Sequence, residues 1–230
     1  MTRLLASVTD LEEAATAIRS GADIIDLKDP SRGALGALPP KVVRAIVKHI
    51  AGCLPVSATI GDLPADPMLL AKAIRETAAT GVDYVKVGFF TNEKLVACLQ
   101  GIAELTPHHA IIAVLFADRS PPLQDLVLFA SAGFTGVMLD TADKKAGRLL
   151  DHASLCRLER FVARARSLSL LTGLAGSLRL EDVPMLLPLS PDYLGFRGAL
   201  CRKTDRMQRV DADRLAAIRR AVGPHSVRAA

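Results

Sequence analysis

The chain alternates between two hydrophobic periods. Short, largely aliphatic runs of β type occur eight times, at Arg3–Val8, Ala22–Lys28, Pro55–Ile60, Asp83–Phe89, Ala110–Phe116, Thr135–Asp140, Ser169–Leu174 and Asp192–Phe196. After each comes a stretch whose apolar residues recur at helical spacing. Cap-forming residues open several of these stretches: Thr9-Asp10 before LEEAATAIRS, Asp66-Pro67 before MLLAKAIRETAA, and Thr91-Asn92 before EKLVACLQGIAEL. Several close on a glycine, as in SGAD at 20–23, TGVD at 80–83 and AGFT at 132–135, where a helix ends in the left-handed conformation. Strands alternating with helices of this length predict a parallel sheet. Eight such units in 230 residues predict a single-domain (β/α)8 barrel spanning 1–230. The Gly- and Pro-rich piece DPSRGALGALPP (29–40) then reads as the loop leaving the second strand, and no linker divides the chain.

Composition supports the same class. Half of the residues are hydrophobic, 4% are aromatic and none is Trp, so the core must be aliphatic, as in parallel sheets covered by helices. No apolar run approaches the ~20 residues of a membrane span. The opening MTRLLASVTDLEEA turns acidic too soon for a secretory signal, so a soluble cytoplasmic protein is expected. Cys53, Cys98, Cys156 and Cys201 lie far apart and read as reduced thiols. His49, His108, His109, His152 and His225 show no ligand spacing, so no metal is expected. P-loop, GxGxxG, HExxH and GxSxG motifs are all missing, and no cofactor is expected. The net charge of +5 owes much to the tail after Arg197, with Arg202, Lys203, Arg206, Arg209, Arg214, Arg219 and Arg220. Without aromatics for base stacking, that tail reads as a solvated helix face and not as a nucleic-acid site. A basic balance also suits anionic metabolites.

The chemistry lies in charged residues on aliphatic strands. Strand side chains alternate, so Asp26 and Lys28 share a face about 6.6 Å apart at the end of the second strand. Lys86 interrupts the run YVKVGFF, and Asp140 ends the sixth strand. In a barrel these four side chains converge at the strand C-termini. Taken singly, Asp26, Lys28 and Asp140 also fit turn, loop and cap roles. Lys86 must either pair with a carboxylate or serve chemistry, because burying an ammonium costs several kcal/mol otherwise. An amine attacks a carbonyl only as the free base, which is scarce at an ordinary lysine pKa of ~10.4. Burial beside a second cation lowers that pKa, and Lys28 with Lys86 supplies the arrangement for an imine mechanism. Asp26 or Asp140 can then move protons. Gly173, Gly176 and Ser177 after the seventh strand, with Gly195, Arg197 and Gly198 after the eighth, predict an anion clamp at the usual phosphate position of such barrels.

The segments DIIDLKDPSRGALGA (23–37), GVDYVKVGFF (81–90), GVMLDTADK (136–144), GLAGSL (173–178) and LGFRGALC (194–201) resemble the (5-formylfuran-3-yl)methyl phosphate synthase family over most of the chain. The resemblance implies a barrel lyase that condenses two molecules of glyceraldehyde 3-phosphate into the phosphorylated furan precursor of methanofuran, releasing phosphate and water. It also implies Lys28 as the Schiff-base lysine and Asp26 as its neighbouring acid/base. Lys86 becomes a second active-site lysine, and Asp140 with Lys144 completes the charged set. The expected partner is a small triose phosphate, with neither nucleic acid nor membrane. Self-association is an expectation by analogy with other barrel enzymes. Two further readings share these residues: another class I aldolase of triose phosphates, and a barrel that binds a phosphorylated metabolite or a protein without catalysis.

Overall fold

Hydrophobic alternation carries through to eight strands that pair in chain order and in parallel until β8 meets β1. In the computed structural model, which describes residues 1–91 and 93–224, the strands are β1 (Arg3–Val8), β2 (Ile24–Leu27), β3 (Val56–Thr59), β4 (Tyr84–Phe89), β5 (Ile111–Phe116), β6 (Gly136–Asp140), β7 (Leu171–Leu174) and β8 (Tyr193–Phe196). Helices α1 (Leu11–Arg19), α2 (Pro40–Ile50), α3 (Pro67–Ala78), α4 (Leu95–Ala103), α5 (Leu126–Ser131), α6 (Leu149–His152), α7 (Leu155–Ser167), α8 (Val183–Leu186) and α9 (Ala212–Val222) surround them. This is the expected (β/α)8 barrel. His225 and Asn92 lie outside the described residues.

Several strands begin one or two residues later than the hydrophobic pattern suggests, and aspartates occupy the difference. Asp23 accepts from the amide of Leu4 (2.6 Å), Asp83 from Val56 (2.7 Å) and Asp192 from Thr172 (2.7 Å). Each carboxylate thus satisfies an amide at the start of a neighbouring strand, where the parallel ladder has not yet supplied a carbonyl. Asp10 and Asp66 cap α1 and α3 as expected, accepting from Glu13 and Leu69. The start of α4 departs from expectation. Thr91 accepts from Glu93, but the helix opens only after Lys94, which is left-handed (φ 54°) and gives no side-chain cap.

Two layers of core follow from the alternation. Outward residues such as Leu4, Ile25, Leu27, Val85, Val87, Val137 and Leu139 pack against the helices. Inward ones, including Leu5, Ile24, Ile112, Val114, Phe116, Met138 and Tyr193, fill the barrel. Stacked side-chain layers plug such barrels, so chemistry is left to the open end. Gly88 and Phe90 shape the lid of this plug. The Phe90 and Phe116 rings stack at 4.2 Å, and a Cβ at residue 88 would lie 2.7 Å from Leu35 and 2.8 Å from Phe90.

Candidate active site

Register builds the lower tier of the site. Ser7 on β1 and Ser57 on β3 both stand opposite Asp26 on β2. Their hydroxyls donate to its two carboxylate oxygens, at 2.8 and 2.7 Å. The Lys86 ammonium, projecting from β4, donates to Asp26 Oδ1 at 2.8 Å. All four side chains are buried. Burial alone would raise the Asp26 carboxyl. The charges of Lys86 and Lys28 and these hydrogen bonds reverse that and hold it below the usual carboxylate range. Serine in the otherwise aliphatic runs RLLASV and VSAT was the signal for this network.

The upper tier opens on solvent. Lys28 follows β2 directly, its amide bonded to the carbonyl of Val8. Its ammonium lies among Asp140, Asp26, Lys144 and Lys86; burial lowers its pKa to about 8, against the pull of the two aspartates. Asp140 ends β6 and forms a short ion pair with Lys144, four residues on, which also approaches Thr141 Oγ1 at 3.4 Å. Burial raises the Asp140 carboxyl, but Lys144 and Lys28 more than offset this and bring it down to about 2. Three lysines therefore face two aspartates, and the site carries a positive excess.

Above them lies a cavity of about 890 Å3, lined by Lys28, Asp140 and Lys144 together with the loops after β2, β6, β7 and β8. That volume sits within the ~300–1,000 Å3 typical of small-molecule pockets. Asp26 and Lys86 do not line it; they form its electrostatic floor. Two aspartates that the sequence reading passed over fix the walls. Asp62, after β3, accepts from the amides of Ala34 and Leu35 (2.8 and 2.7 Å), and Asp118, after β5, from those of Ala142 and Asp143 (2.8 and 2.9 Å). Among the described residues no group of His, Cys, Asp and Glu is arranged to hold a metal ion.

The expected anion clamp divides. Gly176, Ser177, Gly195, Arg197 and Gly198 line the cavity. Gly176 (φ 111°) runs so close to Thr141 that a Cβ would lie 3.1 Å from its amide nitrogen, and Ser177 is left-handed (φ 51°). Among the described residues nothing accepts from the amides of Ser177 and Gly198, which leaves them free for an anion. Gly173 instead lies inside β7 and off the cavity. A Cβ there would fall 2.3 Å from the Tyr193 ring, so this glycine makes room for the plug. Arg197 also differs from a clamp, since all five of its N–H groups are engaged. They reach Glu13 twice and the carbonyls of Ser7, Arg206 and Gln208. The tail is not a plain solvated face either. Arg209 pairs with Glu12 and Asp10, Arg214 holds Ala199 and Thr204, Arg219 pairs with Asp23, and Arg206 enters the cavity.

Residues 4–219 match the family model described as 4-HFC-P synthase. A protein of Methylorubrum extorquens described as a candidate (5-formylfuran-3-yl)methyl phosphate synthase is 47% identical over 214 residues, covering 93% of this chain and 89% of its own. The (5-formylfuran-3-yl)methyl phosphate synthase of Methanopyrus kandleri is 38% identical over 216 residues, covering 89% and 91%. Among solved structures, phosphoribosylanthranilate isomerase of Thermotoga maritima superposes with a TM-score of 0.68 at 15% identity, covering 96% of this chain and 98% of its own, a likeness of fold alone.

Proposed function

Because this chain belongs to the 4-HFC-P synthase family, we propose that it condenses two molecules of glyceraldehyde 3-phosphate to the phosphorylated furan aldehyde, through an imine on Lys28, in methanofuran-type cofactor biosynthesis. The observation that carries the reading is Lys28 itself: a buried amine on the wall of a cavity that also offers free backbone amides, its pKa brought down to about 8 by burial. At neutral pH an appreciable fraction of such an amine is the nucleophilic free base.

In this reading the two tiers divide the work. Ser177 and Gly198 hold the phosphoryl group of one triose with their amides while Lys28 attacks its aldehyde carbon and water leaves. Asp140 and Lys144, on the cavity wall beside Lys28, pass the protons that convert imine to enamine. The enamine carbon adds to the aldehyde of the second triose; loss of phosphate and dehydration follow, and closure of the second triose's hydroxyl onto the imine carbon forms the ring and releases the Lys28 amine. Asp26, Ser7, Ser57 and Lys86 contact no substrate here. Asp26, held by the two serine hydroxyls, favours the Lys28 ammonium from below, and Lys86 opposes it.

Purified protein incubated with glyceraldehyde 3-phosphate should develop furan-aldehyde absorbance and release phosphate, and cyanoborohydride should trap a triose on Lys28. Lys28→Ala should abolish both. Trapping at Lys28 without a furan would replace the synthase with a simple class I aldolase. A folded protein that yields neither product nor adduct would remove the catalytic reading altogether.

A further inference from the structure

Arg206 stands nine residues beyond Arg197 in the same loop and in the opposite chemical situation. It lines the cavity, and a single donor, Nη2, is engaged, on the carbonyl of Gly33 at 2.9 Å. Its Nε is buried without a partner, and among the described residues it forms no ion pair. Burial depresses its pKa, with Asp140 the strongest charge opposing that. This half-buried guanidinium is partly desolvated without the bidentate partner that would offset the cost. The group is nonetheless held in place. Its carbonyl accepts from Arg197 Nε at 3.0 Å, and Nη2 reaches across to the loop that carries Lys28. The fully engaged Arg197 therefore acts as a positioning residue for its neighbour.

We propose that Arg206 binds a second anion in the cavity, the phosphoryl group of the incoming triose, apart from the anion held by the Ser177 and Gly198 amides. The assignment deepens the synthase reading and rests on it. Two phosphorylated substrates present together need two anion sites, because like charges crowded onto one set of amides repel. Of the arginines that line the cavity, Arg197 is committed to Glu13, Arg148 to Asp182 and Arg179 more loosely to Glu181, which leaves Arg206 as the one without a carboxylate partner among the described residues, free to form a forked pair.

Isothermal titration of the full chain with inorganic phosphate tests this. Wild type should bind two equivalents, and Arg206→Gln one, with the lost site weakened roughly ten- to a hundredfold as expected for charged hydrogen bonds. Arg206→Lys, which keeps the charge and loses the fork, should recover part of the loss; it carries the test if the glutamine variant fails to fold. In the furan assay, KM for glyceraldehyde 3-phosphate should rise by a similar factor in Arg206→Gln, while the single triose trapped on Lys28 remains. Two equivalents bound by Arg206→Gln with wild-type affinity would overturn the proposal. So would a variant that melts lower yet binds phosphate unchanged, since Arg206 would then be only a strap to Gly33. If wild type makes no furan but the stoichiometry still falls from two to one, the synthase reading fails and the second site stands.

Discussion

Lys28 is useful for imine formation only as far as its neighbours keep part of it uncharged, and those neighbours pull in both directions. Burial lowers its pKa most, Asp140 and then Asp26 raise it, and Lys144 and Lys86 lower it again, leaving it at about 8. The sign of each substitution follows. Asp140→Asn removes the largest charge that favours the ammonium, so the Lys28 titration should move below pH 8. Lys144→Met removes an opposing cation and should move it above. The rate of cyanoborohydride trapping, followed against pH, measures this directly, with wild type half-maximal near pH 8. The same direction of movement in both variants would mean that Lys28 is tuned by something other than these charges. Lys86 was legible in the sequence because a charge inside an aliphatic strand has few bland explanations, whereas Asp26, Lys28 and Asp140, which singly also fit turn, loop and cap roles, were legible through their shared place at the strand C-termini. Arg206 was not legible, because in a basic tail nothing local distinguishes the arginine that enters the cavity from Arg202, Arg209, Arg214, Arg219 and Arg220.

At the scale of single elements, the pattern located each strand but not the job of each glycine. Gly173 and Gly176 read alike as parts of a glycine-rich loop, yet one gives room to a ring and the other to a backbone. The distinction depends on β8, whose Tyr193 pairs in register with Gly173, a relation set by the barrel and invisible within TGLAGS. Gly173→Ala should therefore overpack the plug, costing about 1–3 kcal/mol. In a chain of this size that lowers Tm by roughly 2–12 °C. Gly173→Ala combined with Tyr193→Leu should melt higher than the sum of the two single effects predicts, because the leucine vacates the space that the new methyl needs. Thermal denaturation of the three variants reads the coupling, and strict additivity would show that the ring and residue 173 do not compete. The late start of α4 has a similar origin: Thr91 satisfies the amide of Glu93 in a turn of its own, and the chain passes through left-handed Lys94 before the helix begins.

For the whole molecule, closure is the feature that the sequence could announce only as a count of eight. The first and last units are tied by charge as well as by the β1–β8 ladder. Glu13 of α1 accepts from Thr9 and Val210 and pairs with Arg197, and Arg219 of α9 pairs with Asp23. The two ion pairs join residues some 180 to 200 positions apart, so no local pattern could have matched them. Burial would raise the Glu13 carboxyl, but Arg197 and the hydrogen bonds from Thr9 and Val210 hold it below its ordinary value. A carboxyl whose folded pKa is depressed stabilises the protein above its unfolded pKa, and that stability is lost as pH falls through the folded value. Asp26 and Asp140 act with the same sign, so Tm should hold near neutrality and fall from about pH 4.5 downward. Glu13→Gln leaves the Arg197 cation buried without its counter-charge, a loss of about 3–5 kcal/mol, or roughly 6–20 °C in Tm. It should also flatten the acid limb of the Tm profile, because one of the carboxyls that must take up a proton is gone. Melting followed by far-ultraviolet circular dichroism between pH 3 and 7 reads both effects. If Glu13→Gln melted within a degree or two of wild type, closure would rest on the strand ladder alone, and Arg197 would be free to turn from Glu13 into the cavity that it lines.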